Sequence, residues 1–177
     1  FTADNSGRAH SGTNPAARQL LEWRYALDKN SGATFAEIDQ VLRDTDAKGA
    51  AAWPGRDTLY ARAEQAIAPD MPAATLVAWF GTRTPVTAIG KVRLGEALVA
   101  TGQTIRGRAS INRGWAEGSF DAPTELDIVT RDGAALTPES DRARLEALLW
   151  RGETTAARRQ MARVDAGTAA IAKARIA

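Results

Sequence analysis

Apolar residues recur at helical spacing along most of the chain, in segments bounded by recognisable start and stop signals. Asn14-Pro15 supplies an N-cap followed by Pro at the first helical position, and Leu20, Trp23 and Leu27 then fall on one face at i, i+3 and i+7. Thr34 and Glu37 have capping-box spacing ahead of Phe35, Ile38 and Leu42. A charged, Gly/Ala-rich connection from Arg43 to Ala52 ends at Trp53-Pro54-Gly55, and Leu59, Ala63, Ala66 and Ile67 mark the next helix. Pro72 opens a short helix bearing Leu76, Val77 and Phe80. Thr84-Pro85 reads as another cap-plus-Pro start, ahead of Leu94, Ala97, Leu98 and Thr101. Gly102 breaks that run, and a further helix presents Ile111 and Trp115. Leu126 and Ile128 alternate as they would in a strand, but residues 121–130 are assigned a short helix. Thr137-Pro138-Glu139-Ser140 is the strongest start signal and leads to Leu145, Leu148 and Leu149. After Gly152, Ala157, Met161 and Val164 mark a helix, and an alanine-rich helix runs to the end. The pattern predicts about ten helices over residues 14–177, preceded by a polar, aperiodic lead-in over residues 1–13 that is expected to be flexible.

A shift of 50 residues brings the chain into register with itself. Residues 96–113 match residues 146–163 without a gap, with identities at Glu96/Glu146, Ala97/Ala147, Leu98/Leu148, Gly102/Gly152, Thr104/Thr154, Arg108/Arg158 and Arg113/Arg163. The unit is helix, glycine turn, helix. Neither helix of such a hairpin buries its apolar face alone, so neighbouring hairpins are expected to stack, giving an all-α, right-handed superhelix of αα-hairpins, a solenoid of tetratricopeptide type. Two amphipathic helices converging on a common pattern is the alternative.

Composition narrows the chemistry. The chain has 177 residues, 44% apolar and 25% charged, with a net charge of +2 and a pI near 9.3. Thirty-seven alanines, and 19 arginines against 4 lysines, favour helix. With no cysteine and a single histidine, His10, a disulfide scaffold, thiolate or two-histidine metal sites and a Cys nucleophile are excluded. No catalytic, cofactor-binding or metal-ligating residue is assigned and no cofactor is expected. The glycine pairs Gly90/Gly95 and Gly102/Gly107 lack the Gly-Lys-Ser/Thr that a phosphate loop needs. The pairs Glu37/Asp39 and Asp44/Asp46 read as solvated surface, and Glu22 and Glu96 as exposed or ion-paired. Trp23, Trp79 and Trp115 share faces with apolar neighbours and are expected in the core, while Trp53 is expected to plug a gap between helices. No stretch approaches the ~18 apolar residues of a membrane span. Phe1 in place of Met, and a helix-like run still open at Ala177, suggest a piece of a longer protein.

Arginine carries the remaining signal. Residues 83–113 hold Arg83, Lys91, Arg93, Arg106, Arg108 and Arg113 against Glu96, a net +5, and residues 154–177 reach +4. Both clusters fall largely on the second helix of the repeated hairpin. In a solenoid, Arg106, Arg108, Arg113, Arg158, Arg159 and Arg163 could sum into one positive stripe. A solvated helix face is the other reading. Nucleic acid is not expected as a partner, because the net charge is modest.

The segments TPESDRARLEALLWRGETTAARRQMARV (137–164), WPGRDTLYARAEQAI (53–67) and RLGEAL…ATG…INRGWAEGSF (93–120) resemble the helical domain of bacterial soluble lytic murein transglycosylases, a resemblance extending over roughly residues 15–170. It implies an amino-terminal α-superhelical domain, non-catalytic and periplasmic. That domain would position peptidoglycan glycan strands or stem peptides for a lysozyme-like domain absent from this chain. In the family, that domain cleaves the β-1,4 bond between N-acetylmuramic acid and N-acetylglucosamine, leaving a 1,6-anhydro sugar. The family marks its catalytic Glu with a following Ser. Here Glu139-Ser140 lies in a helix start, and the role is not carried onto it. A helical-repeat module that binds a protein partner is the alternative function.

Overall fold

The computed structural model describes residues 14–47 and 54–176. The described residues form ten α-helices and one 3₁₀ turn, with no strand. The chain divides between Ala68 and Pro69 into two compact units. The first holds α1 (Pro15–Leu27), α2 (Phe35–Ala47) and α3 (Arg56–Gln65). The second holds α4 (Ala73–Phe80), α5 (Ala88–Ala100), α6 (Thr104–Glu117), α7 (Ala122–Asp132), α8 (Pro138–Trp150), α9 (Thr154–Gln160) and α10 (Ala166–Ile176), with the 3₁₀ turn at Met161–Arg163. The expected lead-in and Trp53 lie outside the described residues.

In the first unit the caps form as expected. The Ala16 amide donates to Asn14 Oδ1 at 3.0 Å, and Thr34 and Glu37 cap each other reciprocally. Ala26, Ile38, Leu42, Leu59, Ala63 and Ile67 are buried. Leu20 departs from expectation, being 45% exposed: the apolar face of α1 is covered only over its last two turns, around Trp23, Ala26 and Leu27. The expected connection beginning at Arg43 is also corrected. Ion pairing of Arg43 with Asp39, and a hydrogen bond from Gln40 to Asp44, carry α2 through to Ala47. Asp39, expected to be solvated, is buried beneath its arginine.

The second unit begins α5 three residues later than the Thr84-Pro85 signal suggested. Thr87 is the cap, its hydroxyl accepting from the Gly90 amide at 2.9 Å. The ambiguous 121–130 stretch is helical, capped by Asp121 through the Thr124 amide. Its strand-like alternation places Ile128 in the core and Leu126 in solvent. Thr137 and Ser140 form the capping box of α8.

The internal repeat is present as two hairpins, α5–α6 and α8–α9, with the same turn. Gly102 and Gly152 have φ of +87° and +72°. In each turn the following amide reaches back five residues, Gln103 to Leu98 at 2.8 Å and Glu153 to Leu148 at 2.9 Å. The glycine amide reaches back three, a Schellman closure in both. The second helices then differ. Across α5 and α6 the backbones nearly touch: a Cβ on Gly107 would stand 2.6 Å from the Gly95 carbonyl oxygen, and one on Gly114 2.6 Å from that of Ala88. The matching positions in the second hairpin are Leu145, Ala157 and Val164, whose side chains forbid such an approach. There α9 stops at Gln160, and the segment expected to continue it through Val164 becomes the 3₁₀ turn followed by an extended Val164. Asp165 restarts the helix by accepting from the Thr168 amide and hydroxyl, which holds its carboxylate at a pKa of about 2.

Candidate functional site

The close approach of α5 and α6 leaves a groove of about 490 Å³ between these helices, the end of α4 and the Gly81–Pro85 connection. Its apolar lining comes from Val77, Pro85, Leu94 and Leu98. Four cations converge on it: Arg83, Lys91, Arg106 and Arg113. Each is held. Arg83 lies over the Trp79 ring at 4.3 Å and donates to the Trp79 carbonyl. Arg106 donates to Gln103 Oε1 at 2.6 Å. Lys91 is ion-paired with Glu117, whose other oxygen lies 4.0 Å from Arg113. Ser110 donates to the Lys91 carbonyl at 2.7 Å, tying α6 to α5. Of the fourteen lining residues none is acidic or aromatic. Such a surface suits an anion with an apolar portion, because guanidinium forks match carboxylates and the apolar lining covers carbon.

The six arginines read from the sequence as one stripe separate into three groups. Arg106 and Arg113 are seven residues apart on α6, nearly eclipsed, and both line the groove. Arg108 lies about 200° around the helix from Arg106 and is exposed on another side. Arg158 is likewise exposed, on α9. Arg159 and Arg163 turn inward. Arg159 donates to Glu125 Oε2 at 3.0 Å, and Arg163 to Asp141 Oδ1 at 2.8 Å.

These inward arginines join a buried polar network that the sequence analysis missed. Arg144, fully buried, donates to Glu125 at 3.1 Å, to Gln160 at 3.2 Å and to the carbonyls of Trp115 and Gly118. Its guanidinium centre lies 4.2 Å from the Trp115 ring and 4.9 Å from that of Phe120. Asp141 accepts from Trp115 Nε1 and from Gln160, each at 2.9 Å, as well as from Arg163. Burial pulls the Arg144 pKa down, and Glu125 opposes that shift. A signal was available: Asp141, Arg144, Leu145 and Leu148 sit at i, i+3, i+4 and i+7, so two charges occupy the apolar stripe of α8. Trp115 accordingly sits in the core as expected, whereas Trp150 is 88% exposed.

Glu96 is a second departure. It is in an ion pair, as expected of it, but its carboxyl is largely buried and behaves unlike a surface acid. Arg93 donates to it at 3.0 Å and Arg131 is ion-paired with it at 3.0 Å, both being shared with Asp127, while Asp132 lies within hydrogen-bonding reach. Three carboxyls thus face two guanidinium groups, and one Asp132 oxygen is buried without another donor. Burial, then Asp132, push Glu96 up to about 7, so the pair retains a proton near neutrality and Asp132 gains its donor. Glu96 does not line the groove; the ion pairs of Arg93 with Asp127 and of Arg131 with Glu96 join α5 to the end of α7. The repeat-equivalent Glu146 is exposed and pairs with Arg175. Glu139 is exposed, and Ser140 is committed to the cap of α8.

Among the described residues no helix is long and apolar enough to cross a membrane, and no group of three or more His, Cys, Asp or Glu could hold a metal ion. No protein-family model matches the chain, and no curated protein or solved structure matches it.

Proposed function

We propose that this chain is a non-catalytic helical scaffold of a periplasmic lytic transglycosylase, holding peptidoglycan while a lysozyme-like domain elsewhere cleaves the MurNAc-β-1,4-GlcNAc bond. In this reading the hairpins belong to a right-handed superhelix of stacked αα-hairpins. Three segments resembling that family support it, as do the twin hairpins with their matched glycine turns. The observation that carries the reading is the convergence of Arg83, Lys91, Arg106 and Arg113 on one partly apolar groove, a surface complementary to an anionic polymer. The test is co-sedimentation with purified sacculi. The double variant Arg106→Glu, Arg113→Glu is expected to remain in the supernatant while keeping its melting temperature, and undiminished pelleting would refute the proposal.

A helical-repeat module for a protein partner is the second reading. Ile105 and Trp150, 87% and 88% exposed, flank the two matched hairpin turns and favour it. A defined partner whose capture is lost on Trp150→Ala, in a protein that ignores sacculi, would select it.

A further inference from the structure

Sugar and acidic peptide make different demands on a groove. A neutral saccharide is held by ring stacking and by side chains that accept from its hydroxyls, whereas a carboxylate asks for fixed cations. The groove among α4, α5 and α6 has four cationic side chains and no aromatic or acidic one among its fourteen lining residues. It also keeps a counter-ion of its own. Glu117, on the same helix as Arg106 and Arg113, engages Lys91 and approaches Arg113, so a carboxylate already satisfies part of the cationic set. The Lys91 side chain is only 16% exposed, whereas that of Glu117 is 50% exposed and displaceable into water. Val77 and Leu94, with the small exposed part of Leu98, offer an apolar patch that a bare inorganic anion would leave uncovered. Thr82, Thr84, Ser110 and Gln103 add polar groups to its lining.

We infer that this groove binds a short acidic peptide, its carboxylates on Arg106, Arg113 and Lys91 and an apolar side chain against Leu94 and Leu98, with Glu117 as the internal mimic it displaces. Resting on the scaffold reading, this assigns the groove to the peptide portion of the wall polymer and not to its sugar.

The experiment is calorimetric titration of the whole chain with four probes: the peptide Ala-Glu-Ala-Ala with a free terminus, its Gln-containing amidated counterpart, chitotetraose, and inorganic phosphate. The acidic peptide should bind and the amidated one should not. The Glu117→Gln variant should tighten binding about two- to fivefold by releasing Lys91 and Arg113. The double variant Arg106→Glu, Arg113→Glu should weaken it tenfold or more, and added salt should weaken it steadily. Chitotetraose binding better than the peptide, phosphate binding as well as the peptide, or a Glu117→Gln variant that binds no more tightly would each overturn the inference. If the peptide fails while sacculi still pellet in an Arg106- and Arg113-dependent way, the inference falls and the scaffold reading stands. If the peptide binds and sacculi do not pellet, the scaffold reading falls alone.

Discussion

Adding one methyl group at Gly107 tests the packing that forms the groove. A Cβ there would meet the Gly95 carbonyl oxygen and Val99 Cγ2 at 2.6 Å and the Val99 amide nitrogen at 2.8 Å. Two of these three atoms are helix backbone, which no rotamer change can move aside. Ordinary contact begins near 3.4 Å, so α5 and α6 must separate by about 0.8 Å, enough to forfeit roughly a quarter to a half of the dispersion energy of the contacts across the seam. Overpacking of this kind costs about 2–3 kcal/mol. Against it, Gly→Ala inside a helix gains about 1 kcal/mol of propensity. The net expectation for Gly107→Ala is a loss of about 1–2 kcal/mol, and a fall of roughly 2–8 °C in the melting temperature followed by far-UV circular dichroism. Ala109→Gly, at an exposed position on the groove face of the same helix, should lose only the propensity term, about 1 kcal/mol. The sign decides the matter. If Gly107→Ala raises stability, as propensity alone dictates, the backbones of α5 and α6 are not in contact and the groove is not framed as described.

Two further outcomes follow from the buried charges. Glu96 has a folded-state pKa raised to about 7 from an unfolded 4.5, so the stability it contributes is fully present below about pH 4.5 and is lost as the pH rises through 7. The shift alone would give about 3 kcal/mol. Glu96 is a fifth exposed and faces two arginines, so a loss of about 1–2 kcal/mol between about pH 5 and pH 8 is expected in urea titrations. Glu96→Gln, neutral at every pH, should flatten that slope, and an unchanged slope would remove the shared proton. Arg144→Leu strips Glu125 of its buried partner and leaves the Gly118 carbonyl without its guanidinium donor. It should cost about 3 kcal/mol or more by urea midpoint, and the double variant Arg144→Leu, Glu125→Leu should recover part of the loss; a single variant within 1 kcal/mol of the parent would deny the network its role.

The groove was partly readable in the sequence. Arg106 and Arg113 were singled out because they belong to the basic 83–113 cluster on the second helix of the repeated hairpin, and their seven-residue spacing puts them on one face of α6. Arg159 and Arg163 carry the same compositional signal, yet their guanidinium groups face Glu125 and Asp141. Charge counting along the chain treats every arginine as solvated, and only the presence of a buried acid, 22 or 34 residues away, separates a surface cation from an internal one. The Glu96–Asp132 pair was unreadable for the same reason, since its shift arises from burial and a carboxyl 36 residues distant.

What the sequence determined by itself is local. Asn14, Thr34 and Thr137 start helices through side chains that reach amides two or three residues on, and Gly102 and Gly152 end them by adopting positive φ inside six-residue hydrogen-bonded turns. Interactions that close within one helical turn are written in consecutive residues, which is why the helices and the twin hairpins could be placed in advance. The tertiary structure decided what those helices face: Gly95 against Gly107, Arg144 between Trp115 and Glu125, and Arg106 beside Lys91 across a groove. Each depends on which apolar stripes meet and how closely, and a stripe does not specify its partner.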